Sequence, residues 1–476
     1  MRPVCSGAVA VERLFSLDHL HTRALCVASL LALLSSAEAR ASSTVERDSL
    51  FTNRDKSAPP PVSQPSGTDA DSSSPAATAS APNLYSEAYW GAVSDLDLDG
   101  LKKAARSAAE FDFARGISLL ASGDEAGAES AFIALGSTTG DFNVGVASQM
   151  MLAHTLLYER KWTMLRDLPA NSALKSEDRK NTEELERWGH AFANLEPQGI
   201  EFPPGPVSIP VRATAAGTPA IRVKINGKEY EFWLDTGSSI TVLSSEVAQA
   251  AGVSTVSGDS LTIRTFGGTA RVRPALVRRM EIGGIVLTNT PAILMDASMM
   301  ALSSASSHAG PTSHVDGIVG WDFIRRFDVL LDLGKGVVEL ARPEVLSTRP
   351  PTQNLMWIGQ PLVEVRTSDG QRLHLALDTG AQGTLLNAAV LDRVRAVTTS
   401  TSSQVFGLAK TGASTSRIIP ELVIEVGGTA LRVQNVVVYG PQYSGLIGCD
   451  GILGSDLARF GPIHIDATNG IFSVGA

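Results

Sequence analysis

The tripeptide Asp-Thr-Gly occurs twice in this chain, at Asp235-Thr236-Gly237 and Asp378-Thr379-Gly380. Each closes an apolar stretch, Glu231 to Leu234 in one case and Leu373 to Leu377 in the other. Each is followed by a second apolar run, Ile240 to Leu243 and Thr384 to Leu386. The order of what comes next is also repeated. Phe266 lies in a glycine-bearing stretch (Arg264 to Arg271), as Phe406 does in Gln404 to Gly407. Gly283-Gly284 and Gly427-Gly428 follow, and then Asp316-Gly317-Ile318 and Asp450-Gly451-Ile452. One unit of about 140 residues therefore appears twice, which predicts two similar lobes in one chain.

Both lobes read as β-structure. Ile221 to Ile225, then Asn226-Gly227, then Tyr230 to Leu234 is a hairpin feeding the first Asp-Thr-Gly. Leu362 to Val365, then Asp369-Gly370, then Leu373 to Leu377 feeds the second. Asp235 and Asp378 thus occupy equivalent strand-to-loop positions. Two carboxylates so presented can activate water without a metal: one takes the water's proton, and the other, kept protonated, polarises a carbonyl.

This pattern resembles the aspartic proteases, and among them the retropepsin-like group, over roughly residues 205–476. The two Asp-Thr-Gly turns carry the resemblance, together with the late segments Ile318-Val319-Gly320-Trp321-Asp322 and Ile452-Leu453-Gly454-Ser455-Asp456. It implies an all-β, two-lobed acid-protease fold with lobes at 203–346 and 347–476, an aspartic endopeptidase activity, and Asp235 and Asp378 as the catalytic pair. Thr236, Gly237, Ser238, Thr379, Gly380 and Ala381 would support the pair. Phe266, Gly267, Gly268, Phe406 and Gly407 would belong to two flaps closing over an extended peptide, with burial of both phenylalanines in the lobe cores as the alternative. Two departures stand out: no tyrosine occupies the first flap region, and the residue after the turn is Ser238 in one copy but Ala381 in the other. A serine hydroxyl there is expected to donate to the carboxylate and favour its charged form, giving an acidic to mildly acidic optimum.

The rest of the chain sets the context. A net charge of −9 over 476 residues offers no basic stripe and argues against nucleic-acid binding. Arg23 and the apolar run Ala24 to Leu34, followed by Ala37, Ala39 and Ala41, have the layout of a signal peptide over 1–41. This predicts a periplasmic or secreted protein, with an uncleaved membrane anchor as the alternative and a true start downstream of Met1 allowed. Of the three cysteines, Cys5 and Cys26 would leave with that segment. Cys449 would remain alone, as a core thiol rather than a nucleophile. Residues 42–84, rich in Ser, Ala and Pro, read as a disordered linker.

From 85 to 198 the apolar period becomes helical. Ala105, Ala109, Phe113, Gly116, Leu119 and Leu120 follow one face, and Ala128, Ala131, Phe132 and Leu135 follow another after a break at Gly123-Asp124. A third helix runs through Ala147, Met151 and Leu156 to a second break at Arg160-Lys161. The layout resembles degenerate tetratricopeptide hairpins, which implies a partner- or substrate-binding module; a plain helical bundle is the alternative. Asp95 to Gly100 begins like a calcium loop, but Arg106 stands where the closing carboxylate belongs, so a helix-capping turn is expected.

Ser298 to Ser313 reads as a surface loop inserted in the first lobe, with His308 and His314 solvated. The pairs Arg278-Arg279 and Arg325-Arg326 read as solvated faces. No metal, cofactor or nucleic acid is expected, only a peptide or protein substrate and a monomeric protease domain. A catalytically silent peptide-binding adaptor is the rival to the enzyme, and an enzyme restrained by its own N-terminal region is a third reading.

Overall fold

The computed structural model describes residues 24–26, 86–138, 141–168, 176–214, 217–256, 259–265, 268–302, 313–347, 353–407, 410–439 and 446–475. Before Ser86 only Ala24–Cys26 is described, a short strand parallel to Gln404–Phe406, so most of the expected signal segment and all of the linker lie outside the described residues. The chain divides into two units. One contains Leu33–Glu186 with Tyr443–Gly448, and the other contains Arg187–Gln442 and Cys449–Ala476 together with the N-terminal end.

The helical unit contains α1 (Glu87–Ser94), α2 (Leu98–Ala104), α3 (Ala108–Ala121), α4 (Glu125–Thr138), α5 (Phe142–Glu159), α6 (Trp162–Arg166) and the start of α7 (Ser176–Phe192). The two sequence breaks are real and have a shared cause, because Gly123 (φ 76°) and Arg160 (φ 60°) both take left-handed backbone. Asp97 caps α2 by accepting the Gly100 N–H at 3.0 Å, so the acidic loop is a cap. Ala105 does not share the α3 face as expected. It ends α2, and α3 starts afresh with a capping box in which Ser107 and Glu110 bond each other's backbone. The buried face of α3 is Phe113, Ala114, Gly116, Ile117 and Leu120. Gly116 is required there: a Cβ would sit 2.5 Å from the Phe132 ring of α4.

The other unit is all-β. Its first lobe runs through β1 (Val207–Ala213), β2 (Pro219–Ile225), β3 (Lys228–Leu234), β4 (Val242–Ser244), α8 (Ser245–Ala251), β5 (Leu261–Thr265), β6 (Gly268–Ile282), β7 (Ile285–Met295), β8 (Gly317–Val319), α9 (Trp321–Ile324), β9 (Asp328–Asp332) and β10 (Val337–Ala341). The second lobe runs through β11 (Leu355–Trp357), β12 (Pro361–Thr367), β13 (Arg372–Leu377), β14 (Leu385–Asn387), β15 (Thr399–Gly407), β16 (Lys410–Val426), β17 (Thr429–Tyr439), β18 (Gly451–Leu453), a 3-10 turn (Ser455–Phe460), β19 (Ile463–Asp466) and β20 (Ile471–Val474).

The repeat survives at the level of register. β8 runs parallel to β3, with Val319 opposite Leu234, and antiparallel to β4. β18 does the same to β13, with Leu453 opposite Leu377, and to β14. β7 lies parallel to β4 and β17 lies parallel to β14. The repeated glycine pairs are tight hairpin turns. Gly283 and Gly284 (φ 56° and 95°) and Gly427 and Gly428 (φ 55° and 83°) both need positive φ at two successive residues.

The lobes are joined at the end of the chain, where the last two strands add to the sheet of the first lobe. β19 adds to β9 of the first lobe, with His464 opposite Leu330, and the His464 Nε2 to Asp328 Oδ1 distance is 2.6 Å. The two cores are aliphatic with buried aromatics, among them Phe232, Trp233, Trp321, Phe323 and Phe472. The expected loop at 298–313 has its described ends paired, Ala301 with His314 and Leu302 with Ser313, and buries Met300. His308 and the remainder of that loop lie outside the described residues.

Candidate active site

β3 and β13 end one residue before Asp235 and Asp378. The backbone N–H of each aspartate is tied to the paired central strand, Asp235 to the Val319 carbonyl and Asp378 to the Leu453 carbonyl, both at 3.0 Å. The strands are in turn fixed by the carboxylates of the repeated Asp-Gly-Ile. Asp316 Oδ2 accepts the Glu231 N–H and Asp450 Oδ2 accepts the His374 N–H, each at 2.9 Å.

The two Asp-Thr-Gly turns meet. The Thr236 N–H donates to Thr379 Oγ1 (3.0 Å), and the Thr379 N–H donates to Thr236 Oγ1 (2.9 Å). Each hydroxyl then donates across to the other lobe, Thr236 to the Leu377 carbonyl and Thr379 to the Leu234 carbonyl. Gly237 must be glycine, because a Cβ there would lie 2.6 Å from the Asp378 carboxyl carbon. All three residues of one turn thus touch or face the other.

Asp235 and Asp378 are both buried, at 0% and 2% exposure. Asp235 Oδ1 accepts the Gly237 N–H at 2.8 Å, and Asp378 Oδ1 accepts the Ala381 N–H at 3.0 Å. The other oxygen of each, Asp235 Oδ2 and Asp378 Oδ2, is buried and takes no donor among the described residues. Burial raises both carboxyls above the usual carboxylate range. Asp378 is held up further by the charge of Asp235, while backbone N–H groups of Gly237, Ser238 and Gly380 favour the charged form of Asp235. Such a pair retains one proton between its two members over a range of pH.

The late Gly-x-Asp segments pass directly beneath these turns. A Cβ on Gly320 would lie 2.5 Å from the Ser238 carbonyl oxygen, and one on Gly454 would lie 2.6 Å from the Gly383 carbonyl carbon, so both positions exclude a side chain. The aspartates that follow accept from threonines of the dyad loops. Thr384 Oγ1 donates to Asp456 Oδ1 at 2.9 Å, and Thr241 Oγ1 donates to both Asp322 oxygens at 3.3 Å. Residues 221–323 match the family model of aspartyl proteases. The aspartyl protease match runs from β2 into α9 and contains Asp235; Asp378 belongs to the second copy, beyond it. Among curated proteins none matches the chain. Among solved structures, a retropepsin-like aspartic protease from Rickettsia conorii is similar at 17% identity and a TM-score of 0.20, over 31% of this chain and 96% of that one.

Ser238 does not act as its sequence suggested. Its hydroxyl donates to the Ile240 carbonyl at 2.8 Å, so it closes the loop on itself and gives nothing to a carboxylate. The two segments expected to be flaps pair as hairpins. β5 and β6 form a hairpin with Thr265 opposite Gly268, and β15 and β16 form one with Gly407 opposite Lys410. Leu261, Ile263, Ala270 and Val272 bury one face of the first hairpin. Phe266 and Gly267 lie outside the described residues, as does the side chain of Phe406. Cys449 is a buried thiol that donates to the Gly451 carbonyl, and burial pushes it up to about 11, as befits an unreactive core group.

The residues that sequence reasoning missed as parts of this site are Thr241, Thr384, Asp316, Asp450, Asp322, Asp456 and Ser455. All but Ser455, whose counterpart is Trp321, recur as the same residue at matched positions of the two copies, and that repetition was the available signal.

Proposed function

We propose that this chain is an aspartic endopeptidase that hydrolyses peptide bonds with a water held between Asp235 and Asp378. The reading is carried by one observation: two buried carboxylates face each other from duplicated turns locked by the Thr236–Thr379 exchange, each with one oxygen that takes no donor among the described residues. A fold has no structural need for such a pair, since two close buried carboxyls oppose each other's ionisation. Asp235, whose charge more backbone N–H groups favour, takes the proton of the attacking water. Asp378, held protonated, donates to the carbonyl oxygen of the scissile bond as it becomes an oxyanion. The proton then passes to the leaving amine as the carbon–nitrogen bond breaks.

In this reading the β5–β6 and β15–β16 hairpins are the flaps, Phe266 and Phe406 contact substrate, and Gly267, Gly268 and Gly407 let the tips bend. The helical unit serves as a partner- or substrate-binding module, and the N-terminal segment directs export. The test is incubation of the full chain with a mixed peptide library, with and without a peptide isostere carrying a hydroxyl in place of the scissile carbonyl. Cleavage that the isostere suppresses supports the reading. Absence of cleavage across the acidic and neutral range leaves the peptide-binding adaptor.

A further inference from the structure

The two dyad loops are braced differently, and the difference centres on one residue. In the first lobe the Ser238 carbonyl accepts the Trp321 N–H at 2.6 Å, and Trp321 has no hydroxyl to add. In the second lobe the equivalent carbonyl, that of Ala381, accepts from Ser455 twice: from its N–H at 2.8 Å and from its Oγ at 2.9 Å. Ala381 is also the residue whose N–H donates to Asp378 Oδ1. Ser455 is buried at 4% exposure, so its hydroxyl is not shared with solvent. The turn that carries it is anchored next door by Asp456, which accepts from Thr384.

We propose that Ser455 is a positioning residue for Asp378: its hydroxyl clamps Ala381 at the carbonyl and so aims the Ala381 N–H at the carboxylate. The proposal rests on the dyad reading above. It explains why the copy with alanine after Asp-Thr-Gly carries serine at the x of Gly-x-Asp, whereas the copy with Ser238 carries Trp321. Each loop has one hydroxyl donating to a loop carbonyl: in the first lobe it is Ser238's own and the acceptor is Ile240, and in the second it comes from Ser455 and the acceptor is Ala381, whose N–H bonds Asp378. The charged group facing Asp378 from the first lobe is Asp235, and those on the Ser455 turn are Asp456 and Arg459. Asp456 is present in all the variants below.

The sign follows from the donor. The Ala381 N–H favours the ionised form of Asp378. Loosening Ala381 weakens that bond, so the pair gives up its last proton at higher pH. The experiment is a titration of the aspartate side-chain carboxyl ¹³C resonances in the full-length wild type, Ser455→Ala and Ser455→Thr. Ser455→Ala is expected to move the upper step of the dyad to higher pH, and Ser455→Thr, which keeps the hydroxyl, to move it less. Ser455→Cys, with a weak donor of similar size, gives the same reading if alanine fails to fold. An upper step unchanged in Ser455→Ala, or moved equally by Thr and Ala, overturns the proposal. This readout needs no turnover, so it stands apart from the peptide-library result that decides the dyad reading. With a cleavable peptide, kcat of Ser455→Ala should fall about tenfold, the worth of one hydrogen bond, with KM unchanged. A rise in KM at constant kcat would contradict it.

Discussion

Thr236 and Thr379 hold each other by reciprocal hydrogen bonds, each N–H donating to the other's hydroxyl at 3.0 and 2.9 Å. Because each hydroxyl donates onward to a strand carbonyl of the opposite lobe, four buried backbone groups depend on two side chains. Thr236→Val removes one hydroxyl and orphans the Thr379 N–H and the Leu377 carbonyl. The expected cost is about 1–3 kcal/mol for each orphaned group, and Thr236→Ser should recover most of it. Urea unfolding of the three proteins checks this; a valine variant as stable as wild type would mean that the exchange contributes nothing.

Gly237 faces Asp378 with no room for a methyl group. Gly237→Ala is therefore expected to push the Asp378 carboxyl aside while the strands, held by the Val319 and Leu453 carbonyls, stay in place. Displacement of a reacting group on this scale costs about 10²-fold in rate. Peptide turnover should fall by that order with a far-ultraviolet spectrum like wild type; retention of full kcat would contradict the close approach.

The dyad also predicts how stability depends on pH. Both carboxyls are raised in the folded protein, so between the ordinary value of 3.8 and about 7 for Asp235 the folded state binds more protons than the unfolded one. Their contribution is fully present below the unfolded value and is lost as pH rises through that window. Asp378→Asn, which cannot ionise, should unfold at nearly the same temperature as wild type in acid and at a higher temperature at neutral pH. Parallel melting curves across pH for the two proteins would rule out a raised pair.

In the helical unit, Gly116 packs its missing side chain against Phe132. Gly116→Val is expected to destabilise that unit by about 1–3 kcal/mol through overpacking. Hydrogen exchange on α3 and α4 should quicken while β3 and β13 stay protected. Unchanged exchange on α3 would mean that the two helices can part without cost.

The fold was legible in the duplication because each repeated motif answers a backbone demand that recurs in both lobes. Gly-Gly marked hairpin turns, Gly-x-Asp marked the segment crossing under a dyad loop, and Asp-Thr-Gly marked the meeting point of the lobes. What sequence could not supply was direction. Nothing in the spacing says that Ser238 turns its hydroxyl to Ile240 or that Ser455 takes over the bracing of Ala381, since those choices depend on which loop lies beneath which. The α2–α3 boundary was missed for another reason. Apolar spacing continued across it, and the competing signal, the Ser107 and Glu110 capping box, is local rather than periodic.

The account stands most directly on the shared work of Asp235 and Asp378. The measurement is the rate of cleavage of one peptide by wild type, Asp235→Asn and Asp378→Asn, with thermal unfolding run alongside to confirm that all three are folded. The account predicts measurable cleavage by wild type and a loss of about 10²–10⁴-fold or more in each variant. Turnover at the wild-type rate by either folded variant would contradict it.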